Sequence, residues 1–289
     1  MYMRSNKPLG QSQLDQRLSQ SCNILSVTEF CHAMDLTYEG LSDTERPSSD
    51  SPRLVHLAAL LLSEHPAILR LIRRQCSDRP ASLRTQDIGS IWSLLSKFLI
   101  KSKHHDQQTS TIVFQEITMV IGALVRFRRD LVALTLPHLS MALQQLLMSI
   151  RSPRPQLGAK QHTLVTDTLP LGTEEGKALA RLLETLITKT TIRTHSSTAE
   201  VQRAESLARP FSKHAAYIIK AYIDTMNDPL CILPSDLRKE LRPGLFALCN
   251  MINDHSRDAM MVSGLDAGGK TIMKSLWTEY EKQKYVGKG

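Results

Sequence analysis

Residues Glu240–Tyr280 read ELRPGLFALCNMINDHSRDAMMVSGLDAGGKTIMKSLWTEY, and the choice of fold class turns on their last third. Gly264 to Thr271, GLDAGGKT, matches the G-x-x-x-x-G-K-[ST] pattern whose backbone amides cradle nucleotide phosphates, with Gly264, Gly269, Lys270 and Thr271 at the signature positions. That chemistry needs a buried strand before the motif and further strands after it, one of which carries the acidic residue that helps hold Mg²⁺. Ala259–Ser263 would serve as the first strand. The remaining Ile272–Gly289 leaves no room for the others, and the residues upstream show helical periodicity almost throughout. The motif is therefore read as a chance match, with a P-loop nucleotide hydrolase as the alternative from the enzyme class.

The same letters work as helix punctuation. Gly264 is expected to end a helical turn in a left-handed conformation, and Asp266 to cap the next helix by accepting from its free amides. Beyond them Ile272, Met273, Leu276, Trp277 and Tyr280 recur on one helical stripe, while Lys270, Lys274, Glu281 and Lys282 lie mostly elsewhere. That stripe is too apolar to face water. The preceding helix, bearing Leu245, Leu248 and Ile252, is the expected surface to receive it. Leu276, Trp277 and Tyr280, with the turn residues Pro243 and Gly244, then form a structural cap and a candidate partner surface.

Working outward, helical periodicity continues. Ser51 and Pro52 open a helix with Leu54, Leu57, Ala58, Leu61 and Leu62 on one face, and Pro66 starts the next, so the two form an antiparallel pair. In the second, Ile68, Leu69 and Ile72 point inward and Arg70, Arg73 and Arg74 outward. Thr85–Lys101 carries the stripe Ile88, Ile91, Trp92, Leu95, Phe98 and Leu99. Thr111–Val132 carries Val113, Phe114, Ile117, Val120, Ile121, Leu124 and Val125. A further helix runs from Pro137 through Met141, Leu143, Leu146, Leu147 and Ile150. The stretch 151–173, with three prolines and no period, reads as a linker or long loop. Thr173 caps the next helix, and Pro210 is expected to bend or break one that begins near Ser197. Ser235 opens a short helix that Pro243 restarts after a kink.

The fold class is all-α: an irregular, solenoid-like array of HEAT/armadillo-like antiparallel helix pairs. It divides into a flexible segment 1–50, a helical half 51–150, the linker 151–173 and a second half 174–289. Composition agrees, since 42% of the 289 residues are hydrophobic but only 5% aromatic. Five scattered cysteines without a C-x-x-C pair read as reduced thiols. No uninterrupted apolar run of bilayer-spanning length occurs, so the protein is expected to be intracellular and soluble, without a membrane partner.

No catalytic, cofactor or metal site emerges. His104 and His105 beside Asp106 lack the one-face spacing of a helical zinc site, and no G-x-S-x-G elbow nominates a serine. His214 and His255 read as structural. The net charge of +8 makes an anionic partner plausible. The candidate RNA contacts are Arg70, Arg73 and Arg74, Lys97 and Lys101, and Arg126, Arg128 and Arg129. With few aromatics beside them, contact would be to the RNA backbone.

Three stretches carry a resemblance: KHAAYIIKAYI at Lys213–Ile223, LRPGLFALCNMINDH at Leu241–His255 and LDAGGKTIMKSLWTEYEK at Leu265–Lys282. Together they resemble the C-terminal domain of the nucleolar 27S pre-rRNA processing factors of the Urb2/Npa2 type. The match is specific in roughly the last eighty residues and fades toward the N-terminus. Members are usually much longer chains in which this domain comes last, and a chain starting at Met1 departs from that pattern; a fragment, a partial gene model and a free-standing domain all fit. The resemblance implies a non-catalytic scaffold of the nucleus and nucleolus in large-subunit (60S) pre-rRNA processing. It would act in early pre-ribosomes beside another helical scaffold and a DEAD-box helicase, with pre-rRNA as a candidate partner. A helical-repeat adaptor unrelated to ribosomes is the alternative.

Overall fold

Apolar residues spaced three and four apart become the buried faces of the long helices among the ten α-helices in the residues that this computed structural model describes, 65–100, 107–158, 171–191 and 204–286. They are α1 (His65–Asp78), α2 (Thr85–Ile100), α3 (Gln107–Phe127), α4 (Arg129–Ala133), α5 (Leu136–Ser149) and α6 (Thr173–Ile187). The C-terminal four are α7 (Ala208–Asn227), α8 (Ser235–Met251), α9 (Asp254–Ala259) and α10 (Ala267–Tyr285). Two-residue strands pair antiparallel in two places, β1 (Ser152–Pro153) with β4 (Cys231–Ile232) and β2 (Thr190–Thr191) with β3 (Ala204–Glu205).

The helices form two rows. α1, α3, α6 and α8 touch in that order, as do α2, α5, α7 and α10. Within the first row they run parallel. Arg70 and Arg73 of α1 both reach Glu116 of α3, Gln115 and Gly122 of α3 meet Glu175 and Leu182 of α6, and Gly176 and Ala180 of α6 meet Leu237 and Gly244 of α8. Each succeeding helix returns in the other row, so the long helices form four consecutive pairs of an all-α array. One apolar cluster runs between the rows from Leu69 to Tyr280. The expected helix at 54–62 lies outside the described residues.

The stripes of α2 and α3 are buried as the periodicity requires, with Ile88, Ile91, Leu95, Phe114, Ile117 and Ile121 fully enclosed. Over 18 residues, Ser110–Phe127 is long and apolar enough to cross a membrane by composition alone. Here 67% of it is buried inside the fold, with α1 and α6 on either side, as in a core helix.

Several details differ from expectation. Met141 is exposed, because it falls off the stripe that Leu139, Leu143, Leu146 and Leu147 bury. α6 is capped from Gly172, whose amide donates to the Glu175 carboxylate at 2.8 Å, and Thr173 is its first residue. Pro210 does not break a helix. It sits in the first turn of α7, where its missing N–H costs nothing; Ser197 lies outside the described residues.

Candidate functional site

The signature stretch builds the end unit of the array. α8 continues unbroken through Pro243, without the restart read from the sequence. Pro243 and Lys239 are both exposed, so water can serve the Lys239 carbonyl that proline deprives of its i+4 donor. Gly244 turns inward. A Cβ there would lie 2.7 Å from the Cα and 2.9 Å from the carbonyl oxygen of Ala180 on α6. Pro243 and Gly244 thus belong to a helix whose main contact is with α6.

Asn253 caps α9 by accepting from the Ser256 amide at 2.8 Å, and the chain then widens into one π-turn, Met260–Gly264. Gly264 is not left-handed. Among the described residues only Gly158 has a positive φ, and here the π-turn runs into an extended Leu265. Asp266 takes the capping position expected of it, accepting from the Gly269 amide at 2.7 Å. Asn227, at the end of α7, donates to both Asp266 oxygens at 3.0 and 2.8 Å. The Gly269 amide first, and Asn227 second, hold this carboxyl below the usual aspartate range. The cap's contribution to stability is therefore complete above the ordinary aspartate pKa and is lost as pH falls through the lowered value.

The glycine pair has a packing reason. A Cβ on Gly268 would collide with Asn227, and one on Gly269 would lie 3.1 Å from Ile223, so both let α7 approach the first turn of α10. The groups that a phosphate or Mg²⁺ would need are engaged within the helix. The Gly269 amide is held by Asp266, the Lys270 amide donates to the Asp266 carbonyl at 2.9 Å, and Thr271 Oγ1 donates to the Ala267 carbonyl at 3.1 Å. Helix and π-turn, not a strand, precede them. Purified protein should therefore show no saturable ATP or GTP binding by calorimetry, and Lys270→Ala should leave its melting and its associations unchanged. Micromolar, Mg²⁺-dependent binding lost in that variant would contradict this.

α10 buries Met273, Leu276 and Tyr280 and half-buries Ile272 and Trp277. Its main support is α7. α8 contributes less, through Phe246, whose ring centroid is 6.0 Å from that of Tyr280, through Asn250, which accepts from Tyr280 Oη at 3.1 Å, and through Arg242, 3.2 Å from Glu279. The receiving surface expected on Leu245, Leu248 and Ile252 is thus mostly replaced by α7, since α8 is committed to α6. The outward face of α10 is polar, with Thr271, Lys274, Ser275, Thr278 and Lys282 exposed. Such a face suits the terminal unit of a helical array.

Trp277 of α10 meets α9 through Arg257. Its indole N–H donates to Glu281 at 3.1 Å, its ring meets Tyr280 edge-on at 5.5 Å, and the Arg257 guanidinium lies 5.2 Å from its centroid. Asp254 and Asp258 hold Arg257 at 3.0 and 3.1 Å. Val262 on the π-turn is 78% exposed. Arg257 and Asn227 escaped the sequence reading, because nothing in their spacing relates them to Trp277 or Asp266.

A family model described as the Urb2/Npa2 family matches residues 66–288, from the first turn of α1 to beyond the end of α10. The chain belongs to the Urb2/Npa2 family. Membership implies a role in ribosome biogenesis. No curated protein and no solved structure matches the chain.

In this Urb2/Npa2 domain the basic residues singled out by sequence divide into two groups. Arg70 and Arg73 pair with Glu116 at 3.3 and 2.9 Å. Arg128, at the α3–α4 corner, donates to the carbonyls of Pro80 (2.6 Å) and Leu83 and pairs with Asp130 at 3.1 Å. Arg129 is buried, donating to the carbonyls of Thr188 at 2.9 Å and Val125 at 3.2 Å, and burial lowers its pKa. These four tie helices together. Arg126 is exposed and Arg74 half-buried. Lys97 belongs to α2, while Lys101, His104, His105 and Asp106 lie outside the described residues.

The titratable core groups of the Urb2/Npa2 domain are those of a packed interior. Burial pushes the Cys76 and Cys249 thiols up to about 12, which keeps them protonated and poorly nucleophilic. Burial, then the neighbouring Lys213, lowers the His214 pKa. Among the described residues no group of three His, Cys, Asp or Glu side chains is placed to hold a metal ion.

Proposed function

We propose that the chain is a non-catalytic scaffold of nucleolar ribosome assembly that positions factors and precursor RNA of the large (60S) subunit during 27S pre-rRNA processing. The family match over 66–288 carries this reading, because it takes in the whole two-row array together with its polar-faced end unit. The mechanism is placement. An extended array offers several surfaces at once, and partners held on one body meet at a high effective concentration. The partners fitting this role are another helical scaffold and a DEAD-box helicase in early nucleolar particles, with Trp277 and Arg257 at the α9–α10 corner receiving one of them.

RNA contact, on this reading, falls to the basic side chains left outside the helix-tying set, Arg74 and Arg126, together with Lys97. Arg74→Glu with Arg126→Glu should weaken binding to precursor RNA and flatten its salt dependence without moving the melting temperature. Arg129→Glu should instead unfold the α3–α6 junction, since it leaves a charge buried against carbonyl oxygens. Unchanged RNA binding in the double variant would make these residues solvated surface. Depletion of the protein tests the functional reading as a whole. Large-subunit rRNA precursors should fail to mature while small-subunit rRNA continues; an equal defect in both, or none, would contradict it.

A further inference from the structure

The second row presents an outward face that the end unit does not use. α5 and α7 lie side by side, and their C-terminal ends are joined by the Arg151–Asp228 pair at 3.4 Å, by the β1–β4 pairing and by the Arg154 amide on the Leu230 carbonyl at 2.8 Å. The two helices therefore run in the same direction. Met141 lies ten residues before Arg151 and Tyr217 eleven before Asp228, which puts them about 15 and 16.5 Å back along their axes and nearly level with each other. Both are exposed against type, Tyr217 by 59% and Met141 by 56%.

The surroundings of this pair are basic. Arg209, Lys213, Tyr217, Lys220 and Asp224 share the outward stripe of α7, opposite the buried Phe211, Ala215, Ile218 and Tyr222. Asp224 is bound to Lys220 at 2.6 Å. Lys213 has no carboxylate partner among the described residues, unlike Lys177 and Lys239 of the first row, which pair with Glu174 and Asp236. On α5 the matching stripe carries no Lys, Arg, Asp or Glu, with His138 and Met141 exposed and Met148 half-buried.

We propose that this α5–α7 face docks an acidic amphipathic helix of a partner protein. Apolar side chains of that helix seat on Met141 and Tyr217, and its carboxylates meet Lys213 and Arg209. Methionine, tyrosine and arginine are the residue types favoured at protein interfaces, and methionine adapts its shape to a guest. Single-stranded RNA is disfavoured here. It would want successive aromatic platforms, where this face offers one. The surface is separate from the α9–α10 corner and does not depend on the assignment to large-subunit precursors.

The test uses the full chain and three fluorescent probes in anisotropy titrations: a helical peptide with leucine on one face and glutamate on the other, the same peptide with lysine for glutamate, and oligouridine. The glutamate peptide should bind and the lysine peptide should not. Tyr217→Ala and Lys213→Glu should each weaken binding by about fivefold or more. Because both positions are exposed, their melting curves should match the parent protein's. Equal affinity for the two peptides, no binding of the glutamate peptide, or indifference to both substitutions would overturn the proposal. So would oligouridine binding that those substitutions abolish, which would make this an RNA face.

Discussion

Gly244→Ala should lower the melting temperature by roughly 6–12 °C, and Gly244→Val should leave little folded protein at physiological temperature. A Cβ at 244 meets the Ala180 Cα at 2.7 Å, its carbonyl oxygen at 2.9 Å and the Leu183 Cβ at 3.1 Å. Two of these atoms are main chain and the third is fixed to it, so no side-chain rotation relieves the overlap. α6 and α8 must separate. Overpacking costs about 1–3 kcal/mol, and the alanine figure takes the upper end, with each kcal/mol moving the midpoint of a domain this size by about 2–4 °C. Valine adds branches to the same overlap and approaches the total stability of an ordinary domain, about 5–15 kcal/mol. Gly89 supplies the control. It is exposed within α2 with nothing within 4 Å of a Cβ, so Gly89→Ala should hold or raise stability by removing a flexible residue from a helix. Thermal denaturation followed by circular dichroism reads all three variants. Equal melting of Gly244→Ala and the parent protein would mean that α6 and α8 pack farther apart than these distances require.

Removal of Asp266–Gly289 is the second large effect; it should destabilise the domain and, on the proposed function, abolish association with pre-ribosomes. The deletion takes away buried Met273, Leu276 and Tyr280 and uncovers α7 around Ile223, which is fully enclosed in the intact domain. Point variants separate the two consequences. Leu276→Ala removes a buried side chain and should cost about 2–5 kcal/mol, with Met273→Ala similar. Trp277→Ala should cost less, because the indole is only half-buried and its contacts with Arg257 and Glu281 face solvent. Its effect should appear in partner binding instead. If the truncated protein melts like the intact one, α10 is a docking peptide and does not cap the array.

The helical stripes were legible because they depend only on neighbours along the chain. Every residue named for the faces of Thr85–Lys101 and Thr111–Val132 is buried, and Asp266 caps α10, since three-residue spacing and capping chemistry are local. What escaped depends on partners far away in sequence. Arg128 and Arg129 look like an exposed basic run until carbonyls 45 and 59 residues distant accept from them. Gly244 looks like turn punctuation until Ala180 is beside it. Pro210 and Pro243 read as breaks from local sequence, whereas first-turn position and solvent exposure neutralise the two costs of proline in a helix. The row order was also hidden. The residue offset between neighbours is 46 for α1 and α3 but 60 for α3 and α6, so no repeat of fixed length appears in the letters.

Affinity purification of the tagged intact chain under native conditions, with the co-purifying RNA and proteins identified, bears most directly on the claim that this domain is a placement scaffold for large-subunit assembly. Enrichment of 27S precursor RNA with early large-subunit factors, a helical scaffold and a DEAD-box helicase among them, is expected, with loss of one of those protein factors from the Trp277→Ala protein while it remains folded. Recovery of the chain without precursor RNA, or with small-subunit precursors alone, would contradict that claim.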